Sequence, residues 1–158
     1  MNEREFRKML RDANSYSEFY QAILALIGGD MEQFLRDGDE IVLQREPYIP
    51  LFIRNLGLRR VSIAHHAMPE PGLECDQLCD PEVVFEIKEN VAIAEPLSWR
   101  NDYAGIETQV YIYDEFGEKT HIKPKARASI VSFCRTWFWN MSLQGFHNFK
   151  IDYEEGEE

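Results

Sequence analysis

Cysteine is scarce in this chain of 158 residues, which has three in all. An odd and small number fits a reducing compartment better than a disulfide framework. Long apolar runs are missing as well. The longest, AILALI from Ala22 to Ile27, falls far short of the roughly 20 residues a membrane-spanning helix needs. The charged opening MNEREFRKMLRD is not followed by a signal-like apolar region with a cleavage site, so a cytoplasmic protein with no membrane partner is expected. Basic charge is in short supply: 17 Lys and Arg stand against 28 Asp and Glu, a net charge of -11. Neutralising phosphates takes clustered cations, so direct binding to nucleic acid is not expected. The chain also lacks a phosphate loop, a GxSxG elbow, an HExxH pair and a dinucleotide fingerprint, and no cofactor is expected.

What is present suits a folded body. Hydrophobic residues make up 44% and aromatics 13%, enough burial to offset chain entropy at the length of one ordinary domain. We expect a single domain over residues 1–151. The segment 152–158, DYEEGEE, has five acids and no base, and is expected to be a solvated, disordered tail.

The pattern of the body is helix, then sheet, then helix. In NSYSEFYQAILALIGGD, Ser15 and Glu18 have the spacing of a capping box, and Phe19, Ile23 and Ile27 recur every four residues before Gly28 and Gly29. This predicts an amphipathic helix from Ser15, with a separate short helix over 3–11 before it and another over DMEQFLRDG after it. From Glu40 onward come short runs rich in Val, Ile, Tyr and Phe: EIVLQRE, YIPLFIRNL, RRVSIAHHA, PEVVFEIKE, VAIAEPL and ETQVYIYDE. The runs are close in sequence, and connections this short favour antiparallel neighbours, with turns at NLGLRR, KENV and DEFGEK and a last short strand over 120–122. Alternation in VVFEIK puts Val83, Phe85 and Ile87 on a buried face and Glu82, Val84, Glu86 and Lys88 on a wet one. After Pro124, Ile130, Phe133, Cys134, Trp137, Phe138 and Met141 fall at helical spacing, with Gly145 as a stop. The fold class is α+β: an antiparallel sheet of about five to seven strands, flanked by an N-terminal helical segment and a C-terminal helix.

YIPLFIRNLG, then RRVSIAHHA, then DQLCDPEVVFEI, then FCRTWFWNMSLQGF resemble, in that order, a family of small bacterial domains of unknown function. Its members occur in phages, plasmids and integrative elements. They run as a strand ending in Pro-Leu, an SVAHY-like strand, a polar NGDLMxDPEM loop and a closing helix with W...NxxxQGF. The likeness spans Tyr48 to Phe146. It implies a fold and a genomic setting rather than a mechanism. His65 aligns with the family histidine, and Asp76 and the Asp80-Pro81-Glu82 element match the loop. Cys75 and Cys79 depart from it, so a function shared with the family does not rest on them.

Residues 65–87 concentrate the reactive side chains. A tetrahedral zinc would need His65, His66, Cys75 and Cys79 to converge, but adjacent histidines on a strand point to opposite faces. No metal is expected, with His65, Cys75, Cys79 and Asp80 as the candidates if one binds. A hard cation could instead use Asp76, Asp80, Glu82 and Glu86 and support phosphodiester hydrolysis. The stronger reading is structural: Asp80 before Pro81 fits a turn, and Glu82 and Glu86 a solvated strand face. Alternation places His65 with Val61 and Ile63 on the inner face, where a buried imidazole needs partners. Asp76 or Asp80 could make it a structural brace, the favoured reading, or a general acid-base pair. His65, Asp76, Asp80 and Glu82 are therefore the catalytic candidates. For partner binding the candidates are Trp99 and Tyr103, in SWRNDYAG, which reads as a polar-aromatic loop, and Trp139, which falls off the apolar stripe of its helix. The expected function is that of an accessory binding module with a protein partner. The rivals are a metal-dependent enzyme acting on nucleic acid or nucleotides, and an acidic decoy for a DNA-binding protein.

Overall fold

The computed structural model describes residues 3–66, 81–102 and 104–147, with the side chains of 5–14 left out of the description. The chain opens with α1 (Glu3–Ile27) and α2 (Met31–Asp37). Six strands follow: β1 (Glu40–Leu43), β2 (Leu51–Gly57), β3 (Arg60–His65), β4 (Glu82–Lys88), β5 (Ile93–Asn101) and β6 (Ile106–Gln109). A small hairpin, β7 (Tyr111–Tyr113) and β8 (Lys119–Ile122), leads into α3 (Pro124–Leu143). The six strands form one antiparallel meander in sequence order, as the short β1–β2, β2–β3, β4–β5 and β5–β6 connections favour, and β7 and β8 make a second sheet of two strands.

Expectation and structure part at α1. The separate short helix over 3–11 and the capping box at Ser15 give way to one continuous helix. Neither Gly nor Pro interrupts residues 11–15, and the Ser15 hydroxyl is not available to cap because it is buried and accepts a hydrogen bond from Arg135 Nη2 of α3. The predicted stop holds: Gly28 and Gly29 take φ of 95° and 97°, and Gly29 N donates to Leu24 O at 2.9 Å. Asp30 then caps α2, accepting from Gln33 N at 3.0 Å.

α1 and α3 lie on one face of the sheet and run in the same direction, Ser15 meeting Arg135 and Phe19 meeting Phe138. Phe85 of β4 meets both helices, its ring centroid 6.2 Å from Phe19 and 5.7 Å from Phe138, while Phe19 and Phe138 are 5.5 Å apart. Ile53, Val61, Ile63, Val83 and Ile87 are fully buried in the same core. Each such side chain contributes about 1.5–3 kcal/mol by leaving water. The run VVFEIK therefore alternates as its pattern predicts.

β5 corrects a second expectation. SWRNDYAG is not loop throughout: Ser98 to Asn101 continue β5, opposite β4 and β6, after a bulge at Leu97, where Pro96 faces Phe85 and Ser98 faces Val84. The polar residues misled because a strand with one wet face tolerates them.

Candidate functional site

His65 ends β3 on the helix-facing side. Its ring stands edge-on to Trp137 of α3 at 5.9 Å and to Phe146 at 5.5 Å. Nδ1 lies 3.0 Å from Ile49 O and 3.3 Å from Pro50 O, so as a donor it ties the segment entering β2 to β3. His66 points the other way and is stacked on Phe52, centroids 3.7 Å apart. Adjacent histidines thus lie on opposite faces, as strand alternation requires.

Glu82 lies on that opposite face. It accepts from Ser62 Oγ at 2.5 Å and pairs with Arg100 Nη2 at 3.4 Å, and Arg100 also pairs with Asp102. The sheet therefore separates His65 from Glu82. Cys75, Asp76, Cys79, Asp80 and Tyr103 lie outside the described residues. Among the described residues no group of three or more His, Cys, Asp or Glu is placed to hold a metal ion. Cys134 is buried in α3, and burial pushes its thiol well above the ordinary range.

The face expected to be wet is partly covered. The β7–β8 hairpin folds over it, and Lys119 Nζ sits 2.7 Å from Glu86 and 3.7 Å from Glu95, which are cross-strand neighbours. Tyr111 donates its hydroxyl proton to Glu95, and Arg60 lies 6.0 Å over the Tyr113 ring. Glu95, only 6% exposed, is the most buried carboxylate among the described residues, and Lys88 approaches it at 3.8 Å. Burial raises the Glu86 carboxyl, but the Lys119 bond and charge, with Lys88 and Arg60, outweigh it and hold the group below its ordinary value. Burial and then the bond to Glu95 push the Tyr111 phenol up. Sequence reading missed this cluster. Its only early sign is Glu95 inside the otherwise apolar run VAIAEPL.

The three tryptophans have different fates. Trp99 is stacked on Phe133 at 4.6 Å, on the helix-facing side of β5. Trp137 is buried in the core, whereas Trp139 is 65% exposed. Trp139 forms one wall of a groove of about 490 Å³ between α1 and α3, with Glu18, Phe19, Arg135, Phe138 and Ser142. Phe138 and Ser142 also line a smaller hollow of about 150 Å³ farther along the same helices, floored by Leu26, Met141 and Phe146. The two make one trough, apolar at its base and polar at its mouth.

A model of a domain of unknown function, DUF6908, matches residues 18–147. The chain belongs to the DUF6908 family. No curated protein and no solved structure matches it. The DUF6908 span begins at Glu18, on the wall of the trough, and ends at His147, so it takes in the whole sheet, the hairpin and α3. The part of α1 from Glu3 to Ser17 precedes it. No helix among the described residues is long and apolar enough to cross a membrane.

Proposed function

We propose that this chain is an interaction module, an accessory protein of a mobile element or bacterial genome, that seats a partner protein in the trough between α1 and α3 with Trp139 as anchor. The exposed indole carries the reading. Large aromatic side chains left in water beside a hollow are the usual anchors of protein interfaces, and one such residue can account for about 2 kcal/mol or more, roughly a thirtyfold change in affinity. The resemblance to domains carried by phages, plasmids and integrative elements supports an accessory role. The other readings find less support. A His-carboxylate centre would have to span the sheet from His65 to Glu82, and the carboxylates of a decoy surface, Glu82, Glu86 and Glu95, are held by Arg100, Lys88 and Lys119.

The test compares wild type with Trp139→Ser as bait in host lysate, followed by titration of the purified captured protein. The expected result is a partner held by wild type and weakened about thirtyfold by the substitution, with the melting temperature unchanged because the ring is largely solvated. Equal capture by both baits would overturn the reading.

A further inference from the structure

Three chain reversals meet at one end of the sheet, remote from the trough's walls in sequence: the β2–β3 turn at 57–59, the turn at Glu89–Val91 between β4 and β5, and the tip of the β7–β8 hairpin at 114–118. Ile87 N donates to Arg59 O at 2.8 Å and the Arg59 guanidinium pairs with Glu89, which ties the first two turns to each other, and Arg60 lies 6.0 Å over the ring of Tyr113, the last residue of β7 before the tip.

Two independent features single out this end. The first is apolar exposure: Leu58 is 89% exposed, Phe116 82%, Val91 57% and Leu56 48%. The second is backbone strain. Leu58, Arg59 and Ala92 have φ of 53°, 61° and 53°, and these are all the non-glycine residues in the left-handed region among those described. A two-residue hairpin turn with both central φ positive is normally built from Asn-Gly or Asp-Gly. A leucine there is disfavoured by its Cβ and also displays its side chain to water. Asn-Gly would make the same turn without either penalty, and such outliers cluster where a side chain must be presented.

We propose that this end is a second docking surface, and that its occupant is a protein segment both apolar and basic, such as a cationic amphipathic helix. The charge around the four apolar side chains makes the choice. The bases at this end are already engaged: Arg59 with Glu89, Arg60 with Tyr113, Lys88 beside Glu95, and Lys119 with Glu86. At the hairpin tip, Asp114, Glu115 and Glu118 flank Phe116 as an exposed acidic rim. A rim of this sign attracts a basic partner and repels an anionic lipid surface.

The probe is a fluorescent amphipathic peptide of leucine and lysine, about 14 residues long, titrated by anisotropy at about 0.15 M salt. A leucine-glutamate peptide and anionic vesicles serve as controls. Wild type should bind the leucine-lysine peptide, and Leu58→Asn and Phe116→Ser, which leave the net charge unchanged, should each weaken it about tenfold. Leu58→Asn should also raise the melting temperature by about 2 °C, since asparagine tolerates the left-handed region. Trp139→Ser should leave this affinity unchanged, which separates the surface from the trough. Equal affinity in the Leu58 and Phe116 variants, loss with Trp139→Ser instead, vesicle binding that depends on Leu58, or a lower melting temperature for Leu58→Asn would each overturn the proposal.

Discussion

At the scale of single residues, the structure gives unremarked polar side chains the work of joining elements. Asn55 reads in sequence as a turn residue before Leu56 and Gly57. Its side-chain oxygen does accept from Gly57 N at 2.9 Å, but Nδ2 lies 3.1 Å from the carbonyls of Phe34, Leu35 and Gly38 and so closes the C-terminal end of α2. Asn55→Ala should cost about 1–3 kcal/mol in urea unfolding, because part-buried carbonyls lose their donor. A change below about 0.5 kcal/mol, the usual range for a surface site, would show that water replaces it. The inward direction of His65 was legible, since alternation alone put it beside Val61 and Ile63, while its expected partners, Asp76 and Asp80, lie outside the described residues. Its contacts with the carbonyls of Ile49 and Pro50 were not legible, because backbone carbonyls carry no signature in a side-chain sequence. His65→Ala should lower stability by about 2–4 kcal/mol, through the unpaired carbonyls and the space left against Trp137 and Phe146. An unchanged unfolding curve would contradict that role. Arg45 was equally hidden: Nε donates to Gly145 O at 2.9 Å and Nη2 to His147 O at 2.7 Å, across about a hundred residues of chain.

At the scale of elements, the β7–β8 hairpin is tied to the sheet by the Lys119 ion pairs and the Tyr111–Glu95 bond, so its attachment should depend on pH at both ends of the scale. Glu86 titrates below its unfolded value, which means that the unfolded chain takes up the proton first. The stability contributed by the Lys119 contact is thus present above about pH 4 and is lost as pH falls through the folded value. Lys119→Met should flatten that acid limb in thermal melts, and identical acid limbs in the two proteins would refute the clasp. Tyr111 shifts in the opposite direction. Its phenol stays protonated in the fold beyond the point, about pH 10, where an unfolded tyrosine ionises, so stability falls as pH rises above that value. Tyr111→Phe should remove this alkaline loss, read as melting temperature against pH, while wild type keeps it. β character was visible in sequence on both sides of DEFGEK, but ETQVYIYDE read as one run and in fact divides at Val110 into β6 and β7, which belong to different sheets. The docking of the hairpin was not visible, since a pairing pattern fixes which strands neighbour each other in a sheet but not how a separate hairpin folds over its face.

At the scale of the molecule, hydrophobic periodicity carried most of the architecture. Runs with period two gave the strands, the spacing in 130–141 gave α3, and the short connections favoured the antiparallel neighbours that the meander shows. Local punctuation was less reliable. Ser15 and Glu18 imitate a capping box, and only the long-range bond from Arg135 shows why the helix runs through them. The same limit applies to the trough: Trp139 was legible as an off-stripe residue, but the hollow beside it exists only once α1 and α3 lie together. Phe85 is where that assembly can be tested, because it is fully buried and its ring meets Phe19 of α1 and Phe138 of α3 from the sheet below. Phe85→Ala should cost about 3–5 kcal/mol, a large share of the roughly 5–15 kcal/mol that holds a domain of this size folded. Trp137 and Trp139 report from α3 and Trp99 from β5, while far-ultraviolet circular dichroism reports on every element. If sheet and helices form one cooperative unit, fluorescence and dichroism should give the same urea midpoint in Phe85→Ala, both moved down together with the slope unchanged. Two separated midpoints would mean that α1 and α3 leave the sheet as a unit of their own and that Phe85 is the contact preventing it.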